Sequence, residues 1–221
     1  MPLIIDTTDT LDARFFMKND SFDTINNSLP LIAPRQLHSS EILCVNDENF
    51  SEYVLPAHPE ADGILLTTSR TGAALRFADC APVMLWGKKW VMILHSGYKG
   101  TVLNISGLGL GLVKKKMGDY AVKAARAWIG PCIGKEHYCR DIADEWTQKG
   151  VQSFGGKNFD VRDGKIYFDI AGEIHSQLLD GGICEENITS SGLDTFTSPQ
   201  CYSYRRGDTN ARMTLYVRLR P

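Results

Sequence analysis

The sequence predicts a single mixed α/β domain over residues 1–221, with a central, largely antiparallel sheet flanked by helices. Three observations lead there. Four strand-like segments lie between residues 64 and 94, joined by short turns. Two of them, residues 81–86 and 90–94, are apolar on successive positions, as strands buried on both faces are. The later half alternates helix-like and strand-like stretches, with no linker-like stretch between them.

The totals are ordinary for a globular chain. Hydrophobic residues make up 43% and charged residues 23% of the 221 residues, enough for one sizeable core. A formal net charge of -2 gives no bulk attraction to nucleic acid or an anionic membrane. No apolar run approaches the ~20 residues of a membrane span. The opening MPLIIDTTDTLDARFF lacks the basic start and apolar core of a secretion signal. The six cysteines (44, 80, 132, 139, 184 and 201) are scattered without a CxxC, so neither a disulfide framework nor a zinc ribbon is indicated. The expected compartment is the reducing cytoplasm.

Taken in order, residues 11–17 predict a first strand, followed by a polar, irregular stretch to Ser28. Pro30 and Pro34 bracket a short extended piece that leads to Gln36, Leu37 and His38, and residues 41–45 alternate as a strand. His38 sits in the loop before that strand, where a side chain is readily aimed into a site. On local sequence alone it reads as a surface or capping residue. His58, between two prolines, reads as a solvated loop residue. Residues 64–68 and 73–78 are strands, the second leading into Asp79 and Cys80.

After the 81–94 hairpin, SGYKG turns into a helix over residues 101–117. Gly107, Gly109 and Gly111 weaken it, each by about 1 kcal/mol relative to alanine, and close packing on the sheet is the expected reason. Residues 121–129 return as a strand into the turn GPCIG, and residues 137–151 read as a helix with His137 at its start. A strand at 165–168 is followed by Asp169 as N-cap of a helix over 170–179, which carries His175 on a mixed face. Residues 187–190 and 214–219 are the last strands. The long polar loop between them is of a kind that tends to carry function. Its Tyr204, Arg205 and Arg206 offer a stacking surface and cations to a phosphate or base.

The chemistry concentrates between Ala78 and Gly100. A leading glycine favours a two-residue Gly87-Lys88 turn, which sets Trp86 opposite Lys89 and Cys80 opposite His95, about 5 Å apart on one face. A thiol beside an imidazole suits a metal or a Cys/His nucleophile pair. A one-residue change of register would separate them. Alone, Cys80 reads equally as a small buried hydrophobe. Backbone N–H groups of residues 97–101, with Lys99, offer a seat for an anion.

Together, ADG at 61–63, FADCAPV at 77–83, HSGYKG at 95–100, IGPCIG at 129–134 and SYRRGDTNARM at 203–213 resemble one family. It is the laccase-domain, or multicopper polyphenol oxidoreductase, family, whose bacterial members are regarded as purine nucleoside phosphorylases. The resemblance covers roughly residue 30 to the end. It implies a metal, generally taken to be zinc, held by His38, Cys80 and His95. It implies catalytic roles for Cys80, His95 and Asp79, with Asp79 and Asp62 as carboxylates orienting the histidines. Lys99 and Arg205 would then hold phosphate and Tyr204 would stack on the base. The implied reactions are phosphorolysis of adenosine, inosine or methylthioadenosine, and deamination of adenosine. The implied fold is similar to the catalytic domain of the cytotoxic necrotizing factors.

Three places depart from the family pattern. MKNDSFDTINNS replaces a glycine-rich N-terminal segment, and the HAGWRG motif reads HSGYKG, so the point charge of Lys99 stands for an arginine fork. A C-T-x-C stretch reads Asp194-Thr195-Phe196-Thr197. Other functions fit the same residues. One is a copper oxidase of phenols with Met84 or Met92 as axial ligand, although the chain has five histidines and no His-x-His pair. Another is a metal-free hydrolase with Cys80 as nucleophile and His95 as base, and a third is a non-catalytic nucleotide-binding protein. In each case the expected partner is a small molecule, not nucleic acid or a membrane.

Overall fold

The computed structural model describes residues 2–22, 25 and 29–221. Its first eight strands are β1 (Leu3–Thr7), β2 (Leu11–Phe16), β3 (Leu31–Ile32), β4 (Ile42–Val45), β5 (Gly63–Leu66), β6 (Gly72–Phe77), β7 (Ala81–Gly87) and β8 (Trp90–Ser96). Helices α1 (Tyr98–Val102), α2 (Ile105–Met117) and α3 (Asp119–Lys123) follow, then β9 (Arg126–Ile129), β10 (Cys139–Asp141) and α4 (Glu145–Ser153). The chain ends with β11 (Phe159–Arg162), β12 (Lys165–Phe168), α5 (Ile170–Asp180), β13 (Ile188–Ser190) and β14 (Met213–Leu219).

Six strands form the central sheet in the order β13-β9-β7-β8-β5-β4, and five form a second sheet, β1-β2-β14-β6-β3. Both are largely antiparallel, as expected. The parallel pairs are β13 with β9, β4 with β5, and β3 with β6. Side-chain alternation explains why β7 and β8 read as unbroken apolar runs. Val83, Leu85, Met92 and Leu94 pack with α2 and α5 residues such as Leu110, Val113 and Ile174. Met84, Val91 and Ile93 pack against Phe15, Leu75 and Leu215 of the second sheet. The central sheet is therefore covered on both faces. Among the described residues, no helix is long and apolar enough to cross a membrane.

The hairpin is paired two residues away from the expected register. Gly87 opposes Trp90 and Pro82 opposes His95, with Lys88 and Lys89 as the loop. Cys80 therefore does not face His95; it lies just past the end of the ladder. Gly87 belongs to the strand because the Trp90 indole lies over it and leaves no room for a side chain. The two-residue displacement keeps Cys80 and His95 on the same face, since side chains alternate with period two.

Other segments differ for local reasons. The helix expected over 101–117 is two helices, broken at Leu103 and Asn104. Asn104 is left-handed (φ 55°) and caps α2 by accepting from the Gly107 N–H. Of the three glycines, Gly109 is the one that packs on the sheet, against the Met92 sulfur, while Gly111 has open space. Residues 121–129 end α3 before forming β9, and residues 137–151 split into β10 and α4. The stretches Cys139–Asp141 and Phe159–Arg162 join β12 in a third small sheet, β10-β12-β11. Within the irregular stretch to Ser28, residues 23, 24 and 26–28 lie outside the described residues. Phe22 and Ile25 pack there with Phe16 and Tyr216.

Phe15 is fully buried between the sheets, its ring 6.2 Å from Phe77 and 5.7 Å from Trp128. Phe15→Ala is expected to destabilise the protein by about 3–5 kcal/mol, read as a lowered midpoint of urea unfolding.

Candidate functional site

One buried carboxylate builds the site. Asp62 immediately precedes β5 and is fully buried. Its oxygens accept the backbone N–H of Leu37 (3.1 Å), His38 (3.0 Å) and Ser39 (2.7 Å), and the Ser39 hydroxyl (2.7 Å). His95 Nδ1 lies 2.8 Å from Oδ1. Because a carboxylate only accepts, Nδ1 carries the proton and Nε2 is left to act. Burial raises the Asp62 pKa, but the bonds from His95 and Ser39 outweigh it and hold the group well below the usual carboxylate range.

The same bonds fold the loop that carries His38. That residue is left-handed (φ 59°), a conformation a non-glycine residue adopts only when its surroundings impose it. The three consecutive N–H donors to Asp62 impose it. The His38 and His95 rings meet edge-on, 4.9 Å between centroids. The ligating atoms of His38, Cys80 and His95 all lie within 4.8 Å of one another, so the three could hold a metal ion. Exposure falls from His38 (exposed) through Cys80 to His95 (buried), so the cluster opens on the His38 side.

Gly97 makes room for the thiol: a Cβ there would overlap the Cys80 sulfur and crowd His38. Burial raises the Cys80 pKa, but the charge of His95 and hydrogen bonds with both histidines bring it down to about 6. Burial likewise disfavours the charged form of His95, but Cys80 and Asp62 push that group up to about 9. Each group thus favours the charged form of the other, thiolate beside imidazolium. Two nitrogens and a thiolate suit zinc, and three protein donors are one short of a tetrahedral shell.

Asp79, expected to orient a histidine, does other work. Its carboxylate accepts from Thr195 Oγ1 (2.6 Å) and the Arg205 N–H (2.7 Å), and its carbonyl from the Ile133 N–H (3.0 Å). It is left-handed too (φ 82°). Asp79 thereby ties three later loops to the residue beside Cys80. In the same region Asp194 accepts from the Gly134 and Phe196 N–H groups and pairs with His137 at 2.6 Å. The Asp-Thr-Phe-Thr stretch is therefore a structural fastening.

Around the cluster is a cavity of about 880 Å³, lined by Lys99, Tyr204 and Arg205 as expected. Lys99 Nζ lies 4.9 Å from the Trp146 ring centre, and the Arg205 guanidinium 5.2 Å from that of Tyr138. Tyr204 is 59% exposed. Arg206 faces no ligand: it donates to the carbonyls of Thr195, Phe196, Ser198 and Cys201 and pairs with Asp208. The one-turn α1 is too short to lend the residue 97–101 N–H groups a helix dipole. Sequence reasoning missed Arg76, Tyr98, Tyr138, Arg140 and Arg212, which also line the cavity. Reading Cys139–Asp141 as a strand would have revealed Tyr138 and Arg140.

The remaining histidines are engaged elsewhere. His58 Nδ1 is 3.3 Å from the Ala33 carbonyl oxygen, His137 pairs with Asp194, and His175 lies 3.2 Å from Glu185. Met92 packs under α2 on the sheet face opposite His95, and Met84 is buried between the sheets.

The fold and the site define an α/β protein whose two sheets and one aspartate converge on a His/Cys/His cluster. The chain belongs to the multi-copper polyphenol oxidoreductase laccase family, whose model matches residues 18–220. It is 31% identical over 198 residues to a purine nucleoside phosphorylase of Borreliella burgdorferi, covering 86% of this chain and 80% of that protein. A purine nucleoside phosphorylase of Aquifex aeolicus is 26% identical over 207 residues, covering 94% and 91%. The crystal structure of the Bacillus licheniformis hypothetical protein YfiH has the same fold, with a TM-score of 0.86 at 23% identity over 99% of this chain and 96% of that one.

Two outcomes are expected. Gly97→Ala displaces the Cys80 sulfur, so metal content measured by elemental analysis falls while the unfolding midpoint changes little. In metal-stripped protein, iodoacetamide modification of Cys80 rises with pH through a midpoint near 6, because the thiolate is the reactive form. Removing the neighbouring cation with His95→Ala moves that midpoint up. Cys132, which burial pushes up to about 12, stays silent.

Proposed function

We propose that the protein is a zinc-dependent purine nucleoside phosphorylase acting on adenosine, inosine or methylthioadenosine. The observation that carries this reading is the His38/Cys80/His95 cluster at the floor of a cavity lined with cations. The donor set fits zinc: two imidazoles, one of them oriented by a buried carboxylate, and a thiol already biased towards thiolate. A zinc ion bound there would supply Lewis-acid charge beside the reacting centre.

The chain's own residues supply the rest. Lys99 and Arg205 have no carboxylate partner among the described residues, and they hold the attacking phosphate. Tyr204 stacks on the purine. Asp79 acts by positioning, since its bond to the Arg205 N–H sets where that guanidinium stands. The glycosidic C1′–N bond breaks as a C1′–O bond to phosphate forms, and the purine leaves with the proton of hydrogen phosphate. Adenosine deamination at the same site would appear as inosine. Two cores sharing the central sheet support one domain over 1–221. Six free cysteines, with Cys80 needed as a thiolate, support a cytoplasmic setting.

A second reading has one observation in its favour. Cys80, His95 and Asp62 line up as nucleophile, base and orienting carboxylate, the arrangement of a metal-free thiol hydrolase. His38 separates the two readings, since a hydrolase has no use for it.

Elemental analysis of untagged protein, run beside a purine-release assay with nucleoside and phosphate, tests the proposal. The expected result is about one zinc per chain and phosphate-dependent release of free purine. His38→Ala should abolish both, and Asp62→Asn should weaken metal affinity about 10–100-fold. Stoichiometric copper, or zinc-loaded protein inert towards all three nucleosides, would refute it. Activity that survives His38→Ala would favour the hydrolase.

A further inference from the structure

The cleft holds more uncompensated positive charge than phosphorolysis of an uncharged nucleoside requires. In the reading above, phosphate is served by Lys99 and Arg205 on the wall built around Trp146 and Tyr138. A second pair, Arg76 near the end of β6 and Arg212 just before β14, lines the same cavity. Arg76 lies on β6 opposite Thr214 of β14, and Phe77 lies opposite Met213. One further step of that register sets Arg212 opposite Ala78. Just past the end of the ladder, the two arginines occupy diagonal backbone positions on one side of the sheet, about 7–8 Å apart.

Their charge is not spent within the fold. The Arg76 guanidinium makes no hydrogen bond or ion pair among the described residues. Arg212 Nη1 donates to the carbonyls of Asp208 (3.4 Å), Thr209 (2.9 Å) and Ala211 (2.8 Å), which fixes the group without neutralising it. Its guanidinium also lies over the Tyr204 ring, 5.8 Å from the centre. Two other arginines of the cavity differ: Arg35 pairs with Glu60 and Arg140 with Asp144. Cations without a carboxylate partner thus reach the cavity from different elements: Lys99 from α1 and Arg205 from the 203–213 loop, Arg76 from β6 and Arg212 from the residue before β14.

We infer that Arg76 and Arg212 form a second anion seat, and that the preferred substrate is a purine nucleoside 5′-phosphate. This rests on the phosphorolysis reading and names its substrate class. Stereochemistry selects the 5′ position. In a β-nucleoside the purine and C5′ project from one face of the ribose, while a phosphate displacing the purine arrives from the other. Two anions on different faces of the sugar match two cation pairs carried by different elements of the cavity lining. A 2′- or 3′-phosphate would share the face of the attacking group. In the reaction the C1′–N bond breaks and a C1′–O bond to inorganic phosphate forms. The bonding pair leaves with the purine, which takes the proton of hydrogen phosphate, giving free purine and ribose 1,5-bisphosphate.

The test compares adenosine 5′-monophosphate with adenosine, by calorimetric binding and by purine release in the presence of phosphate. It uses the wild-type protein, Arg76→Gln, and Arg76→Gln combined with Arg212→Gln. Arg76 is exposed and makes no contact the fold depends on, so the single variant keeps the test valid if the double variant misfolds. The nucleotide is expected to bind roughly 10-fold or more tighter than adenosine. That preference, and the ratio of kcat/KM values, should fall towards parity in both variants. Equal wild-type affinities overturn the inference, as does a preference that survives Arg76→Gln. A raised KM for inorganic phosphate with an unchanged nucleotide-to-nucleoside ratio also overturns it, and assigns the pair to the co-substrate. Tighter nucleotide binding without purine release from either ligand upholds the seat and refutes the phosphorolysis reading.

Discussion

A buried carboxylate is costly unless every lone pair finds a donor, and the site is organised around meeting that cost at Asp62. Five bonds converge on its two oxygens, from the backbone of residues 37–39, the Ser39 hydroxyl and the His95 ring. None of these donors is free to drift, because its departure would leave an ionised group unsatisfied where water does not reach. One anion therefore fixes both histidines: His95 through its ring, and His38 through the backbone that carries it. The left-handed His38 conformation is tolerable because this network over-determines it.

The sheets deliver the third donor. Cys80 precedes β7 and His95 is the penultimate residue of β8, so both arrive at the same end of the most deeply buried hairpin in the fold. Gly97 then leaves the space the sulfur fills. The two buried aspartates beside the cluster divide the work. Asp62 orders the ligands, whereas Asp79 gathers Ile133, Thr195 and Arg205 and so fixes the far wall of the cleft relative to Cys80. The stretch that departs from the family's cysteine-containing pattern takes part in this second fastening, and it makes no contact with His38, Cys80 or His95 through a hydrogen bond or ion pair among the described residues.

How much of this could be read from the sequence depends on the length scale of each signal. Continuous apolar runs revealed β7 and β8, and Asp169 announced α5, whose Gly172 N–H it caps. The common face of Cys80 and His95 was legible although the turn was placed one residue early, since only the parity of the register matters there. What decided the turn was contact between Gly87 and the Trp90 indole, which no turn preference encodes. The three-residue β10 and four-residue β11 are too short and polar to show a period, so Tyr138 and Arg140 went unnoticed. Asp62 was identifiable as a carboxylate near the histidines, but not its hold on the His38 loop, because backbone donors leave no mark in a sequence.

The way each cation is held separates its structural from its chemical use. Arg206 is neutralised by the Asp208 carboxylate, and its four carbonyl bonds close the 195–208 loop. Lys99 lies instead over the Trp146 ring, and Arg205 over the Tyr138 ring with one long bond to the His137 carbonyl (3.4 Å), contacts that steady a cation while leaving its formal charge intact. This bears on the family's arginine, which is Lys99 here. A lysine has no planar fork with which to grip two oxygens, but its ammonium beside the Trp146 ring is confined to a small volume. Arg205 on the adjacent Tyr138 ring supplies a fork in the same cleft. The substitution therefore changes which residue brings a planar fork to the cleft, while a positive charge still stands at position 99.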